Sequence, residues 1–227
     1  MTSWSPVVDE IVGRFAAAPN LTLLGRAGTE WVIYKPIAGN RPLEDFDVAT
    51  LAVREVLAYE VAAACGFDLV PETVLGDGPL GPGAIQHFID EEEGFDPLPL
   101  VQQGSEDLWP TAVLDLVVNN PDRKLGHLIR ETSTGRLRAI DHGLTFHPRD
   151  KLRTVLWVFA GRRLPQPMID ALCRLGERLD GGLADRIATR LGDEEASALE
   201  RRVAGLLAAP RHPGPPDDRH PVPWPPY

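Results

Sequence analysis

The sequence is poor in cysteine, in long apolar runs and in positive charge. Its two cysteines among 227 residues are too few for a disulfide framework, so we expect reduced thiols and a cytoplasmic location. No apolar run approaches the roughly 20 residues that span a bilayer, and we expect no signal peptide or transmembrane segment. Lysine and arginine together number 23, against 33 aspartates and glutamates. This balance argues against a protein that binds nucleic acid, because phosphate backbones favour clustered positive charge.

The sequence does contain enough apolar residues to bury a core. It is 43% hydrophobic and 25% charged, which is typical of a globular chain of one domain or two small lobes. The polar segment 91–104 is the best candidate for a lobe boundary. We therefore expect an N-terminal lobe over residues 1–90 and a C-terminal lobe over 91–209. Residues 210–227 hold eight of the 22 prolines and are predicted to form a flexible, disordered tail.

Hydrophobic spacing and turn residues predict an α+β fold, with a small β-rich N-terminal lobe and a mostly helical C-terminal lobe. Ser5 and Pro6 resemble a helix start, and apolar residues follow at helical spacing. In the C-terminal lobe, one β-hairpin is predicted over residues 127–140. The other predicted segments of the N-terminal lobe are strands over 21–24, 30–36, 70–75 and 84–89 and a helix over 48–65.

Lys35 and Glu55 are charged residues on otherwise apolar faces. Strand alternation places Lys35 with Trp31 and Ile33. Glu55 lies within an apolar stripe of the following helix, where an unpaired charge would be costly. An ion pair between the two residues would account for both positions. Glu60, on a neighbouring helix face, is the second choice as partner of Lys35, and a lysine that extends to solvent is the alternative.

Asp122, His127 and Asp141 are predicted to converge at the open end of the C-terminal hairpin. A turn centred on Thr134 places His127 directly opposite Asp141. Asp122 lies in the loop that enters the first strand. These three side chains can bind a metal ion or move protons, and the alternative is a surface loop with a structural histidine. Basic residues outnumber acidic ones by ten to three between Arg123 and Arg163, which favours an anionic ligand nearby.

Several short motifs follow one another in an order that resembles a known superfamily. The series is similar to the atypical protein-kinase-like superfamily that contains the phosphatidylinositol 3-/4-kinases and the HipA-type kinases. More narrowly, it resembles an actinobacterial family of compact proteins related to phosphatidylinositol kinases. The motifs are Tyr34-Lys35-Pro36, Arg54-Glu55, Ala58-Tyr59-Glu60, Val70-Pro71-Glu72-Thr73, Gln86-His87-Phe88-Ile89, Asn120-Pro121-Asp122-Arg123 and Ile140-Asp141-His142-Gly143-Leu144.

This resemblance implies a compact, two-lobed protein-kinase-like fold with ATP bound between the lobes. The turn from Gly25 to Gly28 would cover the phosphates, although it lacks a full glycine-rich motif. Lys35 would hold the α- and β-phosphates, and Glu55 would orient Lys35. The hinge that faces the adenine would be formed by Gln86, His87 and Phe88.

The resemblance also implies roles for the residues of the hairpin. Asp122 would be the catalytic base, and Asp141 would bind the Mg²⁺ ion that bridges the phosphates. His127 stands where kinases carry a metal-binding asparagine. Because imidazole is a softer ligand than an amide oxygen, Mn²⁺ is an alternative to Mg²⁺.

The identity of the phosphate acceptor is open at this point. A serine or threonine of a protein, including the protein itself, is preferred over a small molecule or phosphatidylinositol, because the chain shows no amphipathic helix that would bind a membrane. A nucleotide-binding pseudokinase is a second possibility. A metal-dependent hydrolase is a third, and its candidate residues are Asp122, His127, Asp141, His142 and His147.

Overall fold

The structure, a computed structural model, describes residues 5–16 and 20–227. It has an antiparallel five-stranded sheet in the N-terminal part and helices over most of the C-terminal part. The predicted α+β class, with a β-rich N-lobe and a mostly helical C-lobe, is therefore confirmed. No helix in the described ranges is long and apolar enough to cross a membrane.

The five-stranded sheet contains β1 (Glu10–Arg14), β2 (Leu23–Ala27), β3 (Glu30–Pro36), β4 (Thr73–Gly76) and β5 (Gly83–His87). Their spatial order is β1-β2-β3-β5-β4. Strands β2 and β3 form the predicted hairpin, in which Gly25 is opposite Val32. In β3, Val32 and Tyr34 are buried and Lys35 lies on the opposite, half-buried face, as the alternation predicted.

The prediction of an N-terminal helix from Ser5 was wrong. In the described part of this region, Val7 forms a β-bridge with Asp77, and β1 pairs antiparallel with β2 through a bulge between Ile11 and Gly13. The β-branched residues of this segment suit a strand. Pairing with β2, the next strand in the sequence, and the long-range bridge from Val7 to Asp77 outweigh the local helical spacing of the apolar residues. Residues 1–4 lie outside the described ranges.

Helix α1 (Leu51–Cys65) lies in the predicted segment 48–65. Asp47 accepts a hydrogen bond from the Ala49 amide (3.0 Å) in a short 3-10 turn before the helix. Gly66 ends the helix with φ = 76°, a left-handed conformation that glycine adopts without steric cost. The other helices are α2 (Leu98–Gln103), α3 (Trp109–Val118), α4 (Gln166–Arg178), α5 (Ala184–Leu191) and α6 (Asp193–Ala208).

The apolar core has two clusters. A small cluster within the sheet includes Leu23, Val32 and Ile85. A large cluster includes the buried faces of α1, α3, α4 and α6. Helix α1 lies between β3 and β4 in sequence, contacts β4 and β5, and packs into the helical core, so it connects the two parts and places Glu55 between them.

The segment 210–227 contacts the helical part, which differs from the predicted flexible tail. The carbonyl oxygen of Pro221 accepts hydrogen bonds from the Thr154 amide (3.0 Å) and the Trp157 indole (2.8 Å). The carbonyl oxygen of Pro226 accepts one from the Leu125 amide (2.7 Å), and His212 is 2% exposed. Proline cannot donate a backbone hydrogen bond but it can accept one, and its restricted φ lowers the entropy lost on docking.

Candidate functional site

Lys35 lies between two carboxylates. It is near the end of β3, and its Nζ is 2.5 Å from Glu55 Oε1 on α1 and 3.2 Å from Asp141 Oδ1 in the C-lobe. Glu55 is 3% exposed, whereas the Asp141 side chain is 43% exposed. The structure thus brings three sequence-predicted site residues together and pairs Lys35 with Glu55. Glu60, the second choice, instead pairs with Arg186 (3.3 Å) and Arg190 (2.9 Å).

The charges of Lys35 and Asp141 support each other, whereas burial raises the pKa of Glu55 against the effect of Lys35. Burial acts against a charged Lys35, but the Asp141 and Glu55 carboxylates outweigh it and raise the pKa of the lysine above its ordinary value. The positive charge of Lys35, in turn, holds the pKa of Asp141 far below its usual range, against the effect of burial. Lys35 is therefore a cation and Asp141 an anion at neutral pH.

The hairpin that carries His127 and Asp141 has a register one residue away from the predicted one. Strand β6 (Leu128–Arg130) pairs with β7 (Leu137–Ala139) so that Leu128 is opposite Ala139. His127 is therefore opposite Ile140, whose amide donates to the His127 carbonyl (3.0 Å). Asp141 follows with φ = 62°. Although the register differs, His127 Nε2 is 3.3 Å from Asp141 Oδ2.

Asp122 lies beside this pair, in the loop between α3 and β6. Its carboxylate is 24% exposed and 3.3 Å from Lys124 Nζ. Burial raises the pKa of Asp122, and Lys124 and His127 oppose this effect. A partly desolvated carboxylate with a raised pKa suits a general base.

The residues predicted to contact the nucleotide are placed with two differences. Gly25 lies within β2 rather than in the turn, and an added Cβ would be 2.7 Å from the Glu10 carbonyl oxygen. Gly28 is in the turn, and its amide donates to Asp9 (2.7 Å). The buried Gln86 side chain donates to Thr73 Oγ1 (2.9 Å), so its amide NH₂ is already engaged within the sheet. His87 and Phe88 are partly exposed at the end of β5 and just after it.

Asp141 and His127 could provide some, but not all, of the ligands of a divalent cation. An ionised, accessible carboxylate is a ligand that Mg²⁺ prefers. Burial lowers the pKa of His127, so its imidazole is neutral near pH 7, the form that binds metals. Within the described ranges, no three His, Cys, Asp or Glu side chains are grouped closely enough to hold a metal ion. Asp141 and His127 would thus be two protein ligands, with the remaining positions left for phosphate oxygens and water.

Sequence reasoning did not identify the polar network behind the loop of Asp122. Arg123, for which the sequence predicted no role of its own, is fully buried and paired with Asp115 of α3 (2.9 Å). His142 is also fully buried, and its amide donates to Glu55 Oε2 (3.0 Å). The available signal was Asp115, a charged residue within the apolar sequence Ala112–Val118.

The fold is that of a kinase. The structure is similar to the crystal structure of the Helicobacter pylori proinflammatory kinase CtkA, with a TM-score of 0.58 over 91% of this chain and 95% of that chain. The sequence identity in this comparison is 15%, so the likeness concerns the fold alone.

A sequence relative places the chain in a family. It is 35% identical to Protein Rv2133c of Mycobacterium tuberculosis over 254 aligned positions, which cover 95% of this chain and 91% of that protein. The chain belongs to the family of that protein. No family model matches the chain.

Proposed function

We propose that the protein is an atypical kinase that transfers the γ-phosphate of ATP, in a reaction that depends on a divalent metal, to a serine or threonine of a protein, including itself. The observation that carries the proposal is the position of Lys35 Nζ, 2.5 Å from Glu55 and 3.2 Å from Asp141. Phosphoryl transfer depends chiefly on positioning and on neutralising charge. A lysine held between two carboxylates, in a kinase-like fold, provides both.

Lys35 would bind the α- and β-phosphates, and Glu55 would orient it. The buried Glu55 carboxylate accepts from Lys35 and from the His142 amide (3.0 Å), so both of its oxygens are fixed. A side chain held in this way loses little entropy when the nucleotide binds.

Asp122 would act on the acceptor. Its partly exposed carboxylate has a raised pKa. The proton affinity of Asp122 is therefore closer to that expected of a general base. In this role it accepts the proton of the acceptor hydroxyl as the oxygen attacks the γ-phosphorus atom. The proton moves to Asp122, and the bond between the γ-phosphorus atom and the bridging oxygen of ADP breaks.

Asp141 and His127 would hold the divalent metal, which supplies charge neutralisation for the phosphates. Mg²⁺ in nucleotide sites is commonly held by one or two carboxylates together with phosphate oxygens and water, so this small donor set is sufficient. The imidazole of His127 makes Mn²⁺ a candidate as well as Mg²⁺. A hydrolase with a metal held by protein residues alone would need a larger group of ligands.

The narrower assignment to a family related to phosphatidylinositol 3-/4-kinases rests on the motifs around Lys35, Asp122 and Asp141. We prefer a protein acceptor over an inositol lipid or another small molecule, because helix α6 packs its apolar face into the core rather than presenting it to a membrane. The test must therefore offer each class of acceptor.

The decisive experiment follows transfer of labelled phosphate from [γ-³²P]ATP with Mg²⁺ or Mn²⁺ to the protein itself, to a mixture of Ser/Thr peptides and to phosphatidylinositol vesicles. Asp122→Ala should lower transfer roughly 10²- to 10⁴-fold and retain ATP affinity. Asp141→Ala should abolish transfer and the metal-dependent part of ATP binding. Asp170→Ala, which removes an exposed carboxylate on α4, is the matched control. Equal transfer by the wild type and Asp141→Ala would overturn the proposal.

One observation favours a pseudokinase as the second candidate. His127 Nε2 already lies 3.3 Å from Asp141 Oδ2, so the imidazole competes with a metal ion for this oxygen. A pseudokinase would bind ATP without releasing labelled phosphate to any of the three acceptors. Transfer that depends on Asp122 would exclude it.

A further inference from the structure

Arg123 is a buried cation at the centre of a hydrogen-bond network. Its side chain is fully buried, and its Nε and Nη2 each donate to Asp115 (2.9 Å). Asp115 is 1% exposed and also accepts from Asn120 Nδ2 (2.9 Å). A buried charge requires such compensation, and the pairing anchors the guanidinium to α3.

The far side of the guanidinium contacts both residues that flank Asp141. Nη1 donates to the carbonyl of Ile140 (2.9 Å), and Nη2 donates to His142 Nε2 (2.7 Å). Nη1 also lies 3.3 Å from the carbonyl oxygen of His127. One planar group therefore connects the segments that carry His127 and Asp141, while Arg123 itself follows Asp122 directly in sequence.

Asp141 needs this support because its backbone is in an unfavourable conformation. Its φ of 62° lies in the left-handed region, which residues with a side chain adopt infrequently. The Ile140 carbonyl before it and the His142 ring after it are both held by Arg123. The His142 amide is held in addition by Glu55 (3.0 Å). Such strain persists where surrounding contacts determine the conformation.

We propose that Arg123 is a positioning residue that sets the location of the Asp141 carboxylate, through Ile140 and His142, and thereby the affinity of the site for a metal–nucleotide complex. Only the effect on the affinity for a metal–nucleotide complex rests on the proposed function. The location of Asp141 in the absence of any ligand depends on Arg123 whether or not the protein transfers phosphate.

Arg123→Lys tests this role because lysine keeps the positive charge but loses the planar fork that reaches several acceptors at once. Arg202→Lys is the matched control. Arg202 is a partly buried arginine of α6 that donates to the carbonyls of His147 (2.5 Å) and Pro148 (3.3 Å), so the control changes arginine–carbonyl contacts away from Asp141.

Three measurements are made on the full-length wild type and both variants: the affinity for ATP in EDTA, the affinity for Mn²⁺·ATP, both by calorimetry, and a crystal structure without ligand. For Arg123→Lys we expect unchanged binding of metal-free ATP, binding of Mn²⁺·ATP weakened roughly 10- to 100-fold, and an Asp141 carboxylate displaced from Lys35. Arg202→Lys should match the wild type in all three. A general loss of structure would instead weaken both forms of ATP binding.

An Asp141 carboxylate that keeps its place beside Lys35 in crystals of Arg123→Lys would overturn the proposal. Should Arg123→Lys not fold, His142→Asn removes one acceptor of Arg123 and leaves the Asp115 pair intact. It should then displace Asp141 and weaken Mn²⁺·ATP binding, and an unchanged Asp141 would again overturn the proposal. If the wild type binds no ATP and transfers no phosphate, the proposed function fails, and the two crystal structures still decide the role of Arg123.

Discussion

Two arginine–aspartate ion pairs in this protein differ in their exposure to solvent. Behind the loop of Asp122, the side chains of Arg123 and Asp115 are 0% and 1% exposed. At the β6–β7 hairpin, Arg136 pairs with Asp68, and these side chains are 61% and 59% exposed. Water solvates the surface pair when it is broken but cannot reach the buried one. Burial, more than distance, should therefore decide what each pair contributes.

The largest effect is expected for Asp115→Ala in the buried group. The change leaves the Arg123 guanidinium without its counter-charge and Asn120 without an acceptor, and breaking a buried pair costs about 3–5 kcal/mol. In a chain of this size that corresponds to a melting temperature lowered by roughly 6–20 °C, which calorimetry measures.

Asp170→Ala is the control for this change, because its carboxylate is exposed on α4 and accepts from Gln166 (2.8 Å). It should shift the melting temperature by little. If Asp115→Ala and Asp170→Ala melt together, burial does not decide how much these two carboxylates contribute to stability.

An intermediate effect is expected when the chain is shortened after Gly214. This deletion removes the carbonyls of Pro221 and Pro226, which accept from Thr154, Trp157 and Leu125, and it keeps the buried His212. Each lost hydrogen bond should cost about 0.5–1.5 kcal/mol. Hydrogen exchange should show faster exchange at the Leu125 and Thr154 amides.

Trp224→Ala in the full-length chain is the control for the deletion, because this side chain is 88% exposed. It should leave the exchange of Leu125 and Thr154 unchanged. Exchange that stays slow in the shortened chain would mean that residues 215–227 do not protect these amides.

The smallest effect is expected for Arg136→Gln at the hairpin, because both side chains of the Arg136–Asp68 pair are mostly exposed. Arg136 donates to Asp68. The pKa of Asp68 is lowered mainly by Arg138 and in addition by Arg136. A lowered folded-state pKa contributes stability above the ordinary pKa, and this stability is lost as the pH falls through the lowered value.

The wild type should therefore exceed Arg136→Gln in stability by about 1 kcal/mol or less at pH 7, and the difference should shrink as the pH falls below about 4. Denaturant unfolding at pH 7 and at pH 3 measures both values. A difference that is equal at the two pH values would show that ionisation of Asp68 plays no part.

The candidate site was partly visible in the sequence. Lys35 and Glu55 could be paired because strand alternation and helical spacing each placed a charge on an apolar face, and α1 begins and ends near the predicted residues. Both signals are local. Arg123 gave no such signal, because a run of basic residues has the same appearance whether its members are exposed or buried.

The boundary between lobes near residue 90, the cytoplasmic location and the roles assigned to the site residues stay predictions. The smaller apolar cluster lies in the sheet and the larger one in the helical part, and α1 contributes to the larger one. Phosphate transfer by the wild type and loss of transfer in Asp122→Ala would turn the assigned roles into measured ones.

The sequence by itself determined the elements whose signals lie within a few residues of one another: the β2–β3 hairpin, helix α1 and strands β4 and β5. Tertiary structure alone decided the strand at Glu10–Arg14, the docking of segment 210–227 and the placement of Arg123 between Asp115 and the residues around Asp141. The same was true of the hairpin register, in which His127 faces Ile140 and still reaches Asp141. The physical reason is that these features depend on contacts with other elements, and the free energy of such contacts outweighs local preference once the core has formed.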